Sequence, residues 1–226
     1  MYKKKIFKFK VFKKIASLLV TVLFIASLVF VAFEPAITRA VGDTATVTAV
    51  VSEEVTIDSP DDVLAFSASI PGVSGNPGAP VTASLTWTVK TNNSTGFNLK
   101  VKASQANALF KDVTYYFSDH TTTPSYGWTA AGAGEAVFGF SISSETAGDT
   151  VDAFQDTGAA CGSGGGTGAC WSGFNSTTDI DVVNRSSETT SSGQAETINF
   201  KAESNAKLLE NGNYTATITA TAALNP

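Results

Sequence analysis

"LTWTVKTNNSTGFNLKVKA", Leu85–Ala103, is the stretch whose reading decides the fold. Leu85, Trp87 and Val89 alternate with Thr86, Thr88 and Lys90. After the polar cluster Thr91–Gly96, Phe97, Leu99, Val101 and Ala103 alternate with Asn98, Lys100 and Lys102. A period of two marks a strand with one buried face, because successive side chains point to opposite sides. The pattern therefore assigns Trp87, Phe97 and Leu99 to the core. Two such runs joined by a short Asn- and Gly-rich segment predict a β-hairpin with TNNSTG as its turn.

The same pattern recurs outward from this stretch. Asp43–Asp58, rich in β-branched residues, predicts one bent strand or two short ones, broken at Glu53 and Glu54. A short strand is expected in Val63–Val73, ending at Pro71, and another in the aromatic run Tyr115–Phe117. "GEAVFGFSIS" reads as a strand in which Gly139 marks a bulge or close packing. Residues 143–195 are poor in apolar side chains, so long surface loops are expected, with short strands around Trp171–Phe174 and Ile180–Val183. Near the end, Ile198, Phe200 and Ala202 share a face. After the turn Glu210–Asn213, Tyr214, Ala216, Ile218 and Ala220 alternate with threonines, which adds Tyr214 and Ile218 to the expected core. Many short strands separated by turns, with no heptad or amphipathic helix, predict an all-β fold. A single β-sandwich domain over residues 41–226 is the expected form.

The first 14 residues hold seven lysines and no acid, and the 19 residues Ile15–Phe33 hold no charge. A basic start, an apolar run and small residues at Thr38 and Ala40 predict a signal peptide over residues 1–40, cut after Ala40. A retained N-terminal anchor is the alternative, since the run approaches the roughly 20 residues needed to span a bilayer. Both readings export the remainder to the cell surface or beyond. Residues 1–40 carry eight of the 15 basic and one of the 20 acidic residues, leaving 7 against 19, a net charge of −12. That sign argues against nucleic acid and anionic lipid as partners. The membrane enters only through the N-terminal segment, if it is uncleaved.

Cys161 and Cys170 are the only cysteines, and five of the eight residues between them are glycine. An even count in an exported chain predicts a disulfide. A metal site would want more ligands, and His120 is the only histidine.

Little else points to chemistry. The chain has no zinc-protease helix motif and no nucleophile elbow, and "GSGGGTG" lacks the lysine of a phosphate loop. His120, alone in "SDHTTT", reads as a surface residue, so no enzyme is expected and no cofactor is assigned. Two acidic groupings are candidate oxygen ligands for a structural Ca²⁺: "SPDD" with Glu53 and Glu54, and Asp179 with Asp181 on one strand face. Tyr126, Trp128, Trp171 and Phe174 fall in loop-like contexts. Exposed, such rings would stack sugars; packed, they would cap the end of a core. Asn92 and Asn93 both begin N-x-S/T matches, which are glycosylation acceptors in a host with that machinery.

"TWTVKTNN" followed by "GFNLKV" resembles a recurring pattern in small exported proteins of bacterial envelopes. "LLENGNYTATITATA" resembles the closing strand of fimbrial-type and spore-coat-U-type domains, and is similar to matrix-fibre and camelysin-like surface proteins. The resemblance covers residues 81–103 and 196–226. It implies an immunoglobulin-like or jelly-roll-like antiparallel β-sandwich at the cell surface that works as a structural protein. On that basis the expected function is a subunit of a surface layer, fibre or matrix. Its partners would be other copies or other surface proteins, met by adding a strand to an open sheet edge, with Tyr214–Ala222 or Val41–Val51 as the exchanged strand. The alternative is an adhesin or carbohydrate-binding module that meets glycans through the aromatic loops.

Overall fold

The computed structural model describes residues 14, 16–27, 44–59, 63–174 and 177–226. The chain divides into two compact units, residues 1–50 and 51–226. In the first, residues 16–27 are helical and residues 44–50 carry no regular structure. Among the described residues no helix is long and apolar enough to cross a membrane. The basic start and the cut expected after Ala40 lie outside the described residues.

The second unit is built of strands: β1 (Val55–Asp58), β2 (Val81–Thr91), β3 (Phe97–Ala103), β4 (Ser118–Asp119), β5 (Ser125–Tyr126), β6 (Glu135–Ser144), β7 (Gln155–Asp156), β8 (Gly166–Thr167), β9 (Cys170–Trp171), β10 (Ile180–Arg185), β11 (Gln194–Asn205) and β12 (Ile218–Leu224). The fold is all-β. One sheet has the order β1-β2-β11-β6-β4 and a second the order β10-β3-β12; β5 pairs with β9 and β7 with β8. One hydrophobic core draws on both larger sheets. Trp87 and Val89 come from β2, Phe138, Phe140 and Ile142 from β6, and Ile198 and Phe200 from β11. From the other sheet come Phe97, Leu99 and Val101 of β3 and Val183 of β10, with Tyr214 and Ile218 packed at the margin.

The hairpin expectation is corrected. β2 and β3 alternate as read, and Trp87, Phe97 and Leu99 are buried. They do not pair with each other. β2 is flanked by β1 (Val55↔Thr91) and β11 (Gln194↔Val89), and β3 by β10 (Arg185↔Phe97) and β12 (Leu224↔Phe97). TNNSTG is an arch that carries the chain from one sheet to the other. Asn93, 2% exposed, holds it. Its amide Nδ2 donates to the carbonyls of Gly96 (3.1 Å) and Asn225 (2.8 Å), and its Oδ1 accepts from the N–H and hydroxyl of Thr95. Asn225 in turn donates to the carbonyls of Thr95 and Arg185. Gly96 has φ +81°, and a Cβ there would run into the carbonyl of Arg185, so a β-carbon is excluded twice over. The buried, fully engaged Asn93 is not a glycan acceptor. Asn92 is exposed, but its carboxamide binds the backbone of Ser52 and Glu54.

Other expectations shift as well. Within Asp43–Asp58 only Val55–Asp58 is strand; residues 44–54 are unpaired by any strand and exposed. Val63–Val73 forms no strand, although Ser67 N–H bonds Thr82 O at 2.8 Å. The aromatic run 115–117 is not strand, and β4 follows it, because the carboxylate of Asp112 turns the chain by accepting from Thr114 and Tyr115. The regular alternation from Tyr214 becomes strand only at Ile218, after Thr215 has bridged to Phe110.

Asn93→Ala would remove the four hydrogen bonds of the buried carboxamide, leaving Gly96 O only the Asn225 N–H and Asn225 O only the Thr95 hydroxyl. Each bond lost costs roughly 0.5–1.5 kcal/mol net. Denaturant unfolding should therefore show a loss of about 3 kcal/mol or more. A loss below about 0.5 kcal/mol, the range of ordinary surface changes, would contradict the arch as described.

Candidate functional site

The outward face of the five-stranded sheet gathers the aromatic residues singled out in the sequence. In β6 the core takes Phe138, Phe140 and Ile142, so Val137, Gly139 and Ser141 face the other way. Lys201 of β11 stands opposite Gly139, and Asn199 opposite Ser141. Ser84 and Thr82 of β2 complete these rows, paired with Asn199 and Lys201.

Gly139 makes room for what lies above it. A Cβ there would sit 2.8 Å from His120 Cβ, 2.8 Å from Ser172 O and 3.2 Å from Trp128 Cζ3. The close packing expected at this glycine is what the structure shows. His120 stacks on Trp128 at 4.9 Å between ring centroids, and Trp128 meets Trp171 edge to face at 5.4 Å. The indole Nε1–H of Trp128 donates to Glu203 Oε2 (2.6 Å), and Gly78 N–H donates to Oε1 (2.7 Å). Glu203 is thereby fully buried yet doubly satisfied. Lys201 Nζ lies 4.2 Å from the centre of the Trp171 ring and 5.9 Å from that of Trp128, a cation held against two π-faces.

His120 is not the surface residue expected; it is 5% exposed. Thr129 N–H donates to Nε2 (3.4 Å), and Nδ1 lies 3.1 Å from the Thr121 hydroxyl. Burial pushes its pKa down, so the neutral ring is favoured. It packs on Trp128 and pins the loop through Thr121 and Thr129.

The four expected ligand-contact aromatics part company. Tyr126 is 43% exposed, opposite Cys170 in the β5–β9 pair. Trp128 is half-buried with its faces covered, and Trp171 is 6% exposed. Phe174 belongs to the core, stacked on Phe140 at 4.3 Å and Phe138 at 6.1 Å. The reason is local. Ser172 pairs with Phe140 along the edge of β6, so Phe174, two residues on, follows Ser172 and Phe140 to the core side, while Trp171, one residue back, goes to the outer face. Lys201 and His120 were missed because the polar phase of a strand and a polar loop both read as solvated surface.

The disulfide between Cys161 and Cys170 forms, with Cα atoms 5.8 Å apart. Gln155, 8% exposed, organises the glycine loop it closes. Its Oε1 accepts from Gly164 and Gly165 N–H (3.2 Å each), and its Nε2 donates to Thr150 O at 2.6 Å. The loop leads directly into Trp171. Asp179 and Asp181, offered as calcium ligands, lie 3.6 Å from Lys102 Nζ and 3.1 Å from Lys100 Nζ. Among the described residues no group of three or more acids, histidines or cysteines could hold a metal ion. Part of "SPDD" lies outside the described residues.

Comparison with known proteins finds no family model, no curated protein and no solved structure that matches the chain.

One buried acid stands apart. Glu196 shares the core-facing phase of Ile198 and Phe200 and is fully buried between Trp87 and Ser144 in the sheet. Burial pushes its carboxyl up to about 8. The Ser144 hydroxyl, outside bonding geometry, offsets this in part; the Asp149 charge adds to the rise, Arg185 opposes it, and Glu145 adds again. Arg185 spends its guanidinium elsewhere, on Asp149 (2.6 Å), Gln194 (3.2 Å) and the carbonyls of Ser187 and Glu188.

Two outcomes follow from these arrangements. The folded chain keeps the Glu196 proton to about pH 8, whereas the unfolded chain releases it near 4.5. Folding then takes up a proton between those values, so stability is full below pH 4.5 and declines as pH rises through 8. Glu196→Gln should flatten that decline, raising the melting temperature at pH 8.5 more than at pH 4.5; equal shifts at both would contradict the burial of an acid here. Replacing both cysteines by serine should cost about 2–3 kcal/mol in urea unfolding for a loop of this length. It should also speed amide exchange in residues 155–171 before the sheets; unchanged exchange there would show that Gln155 alone holds the loop.

Proposed function

We propose that the chain is an exported structural protein of the cell surface, a subunit of a layer, fibre or matrix. In this reading the second unit is an antiparallel β-sandwich of immunoglobulin-like or jelly-roll-like type, and residues 1–40 are its export signal. Copies join by adding a strand to the open edge of β12. The similarity of residues 81–103 and 196–226 to fimbrial, spore-coat-U and camelysin-like surface proteins, and a disulfide suited to an oxidising exterior, support the same reading.

The edge itself is the observation that carries the proposal. β10, at the other end of the three-stranded sheet, is covered in part: Val151 N–H bonds Val182 O, and Thr150 bridges to Val183. Among the described residues β12 closes the sheet with no strand beyond it, and it runs beside β1 of the other sheet without pairing. Ser104 N–H donates to Thr217 O, and Asn225 N–H to Gly96 O. By the two-residue alternation of an antiparallel ladder, the odd-numbered residues of β12 bond β3. The N–H and C=O groups of Ile218, Ala220 and Ala222 therefore point outward, unpaired. β12 carries no charge, proline or bulge of the kind that normally blocks such an edge.

The candidate donor is at hand. Thr44–Val51, "TATVTAVV", is β-branched, uncharged and exposed, with Val47, Val50 and Val51 at 92, 93 and 82%. Ala45, Val47, Ala49 and Val51 would share one face of an added strand. The aromatic loops lend little to the adhesin alternative, because the faces of Trp128 and Trp171 are occupied within the chain.

Light scattering and negative-stain imaging of the secreted protein test this. Assemblies are expected from the wild type. Ala220→Pro removes one outward N–H and spares the bonds to β3, and deletion of Thr44–Val51 removes the donor; each variant should be monomeric. A wild type that stays monomeric at high concentration, or variants that assemble as it does, would refute strand addition at β12.

A further inference from the structure

The outward face described above carries a second surface, separate from the β12 edge. A groove of about 460 Å³ runs over the sheet, floored by Thr82, Ser84, Asn199 and Lys201 and walled by Trp171 and Gly168. That volume lies within the roughly 300–1,000 Å³ of small-molecule sites. Its lining is mixed, with two hydroxyls, a carboxamide and an ammonium set among Ala83, Phe200 and Trp171. No carboxylate lines it, in a span with 19 acids against 7 bases.

We propose that this groove binds a saccharide carrying a single carboxylate, a uronic acid unit within an otherwise neutral glycan, with Lys201 as the partner of the acid.

Lys201 is the reason for the acid. The ion pairs among the described residues take Lys100, Lys102, Lys111 and Arg185, and Lys201 has none. Its nearby acid, Glu203, has given both oxygens to Gly78 and Trp128. The aromatic faces fix the ammonium in place, so little side-chain freedom remains to be lost on binding. Burial lowers its pKa, the mark of a cation short of compensation, which an incoming carboxylate would supply.

The hydroxyl and amide groups are the reason for the sugar. Ser84 and Thr82 are exposed, and Asn199 is oriented by a 3.0 Å bond from Nδ2 to Ser143 Oγ, which leaves its Oδ1 free to accept. One face of Trp171 is taken by the Lys201 ammonium, so hydrogen bonds rather than ring stacking would set the orientation. The net charge of −12 repels a polyanion, which limits the ligand to an isolated acid in a neutral chain.

Calorimetric titration of the full chain in mild detergent, with cellobiouronic acid (one uronate joined to one glucose), is the test. Binding is expected. Cellobiose should bind about tenfold more weakly or worse, as should the uronate to Lys201→Met, since a charge-assisted contact is lost in each case. Lys201→Arg should retain binding. Ser84→Asp, which sets a like charge on the groove floor at a solvent-facing position, should weaken the uronate by a larger factor than cellobiose. Lys90→Met, on the same sheet outside the groove, should behave as wild type. No binding by the wild type at millimolar uronate would overturn the proposal. So would equal affinity for cellobiose, a Lys201→Met or Ser84→Asp variant that binds normally, an equal loss in Lys90→Met, or propionate bound as tightly as the uronate.

Discussion

A single buried carboxamide sets the geometry on which the rest depends. Asn93 satisfies the arch between β2 and β3 and ties it to Asn225 after the last strand. Because that arch crosses between sheets, β2 and β3 present Trp87, Val89, Phe97 and Leu99 to one core from two sides. β11 can then settle between β2 and β6, and β12 beside β3. Asn225 is thus tied to the arch, and β12, which precedes it, lies at the margin of its sheet. An open edge there is a consequence of where the arch sends the chain.

The two faces of the five-stranded sheet show how little polar surface need be wasted. Inward, burial of phenylalanine and isoleucine supplies the apolar contact that drives folding. Glu196, an acid fully buried on that face, stays protonated near neutrality at a cost that grows with pH. Outward, Gly139 lets His120 and Trp128 lie directly on the backbone, and Glu203 answers the indole N–H they bring with them. Lys201 is the residue this packing leaves uncompensated. Structural closure of the core and an unfilled requirement on the opposite face therefore arise from the same pair of strands, β6 and β11.

How far the sequence could be read follows from what alternation encodes. A period of two states which side chains are buried, and it placed Trp87, Phe97, Leu99, Ile198 and Phe200 correctly. It says nothing about which strand is the neighbour, since a hairpin and an arch bury the same residues. TNNSTG looks like a turn in either case; the distinguishing fact is that Asn93 is buried, which needs the partner Asn225, 132 residues away. The disulfide was legible because two cysteines beside a single histidine are too few for a metal site, and the glycines between them let the loop close. The aromatic cluster was half legible. Trp128 and Trp171 were visible as aromatic loops, but Phe174 went to the core through the bridge at Ser172, and Lys201 lay hidden in the polar phase of a strand. Those placements depend on pairings distant in sequence.

The arch is tested most directly by backbone nuclear Overhauser effects between facing residues in solution. The account predicts contacts of Leu99 with Ala222 and of Val89 with Gln194, and none between Val89 and Leu99 across a strand pair. Contacts of Val89 with Leu99 and of Lys90 with Asn98, the register of a hairpin closed by TNNSTG, would contradict it.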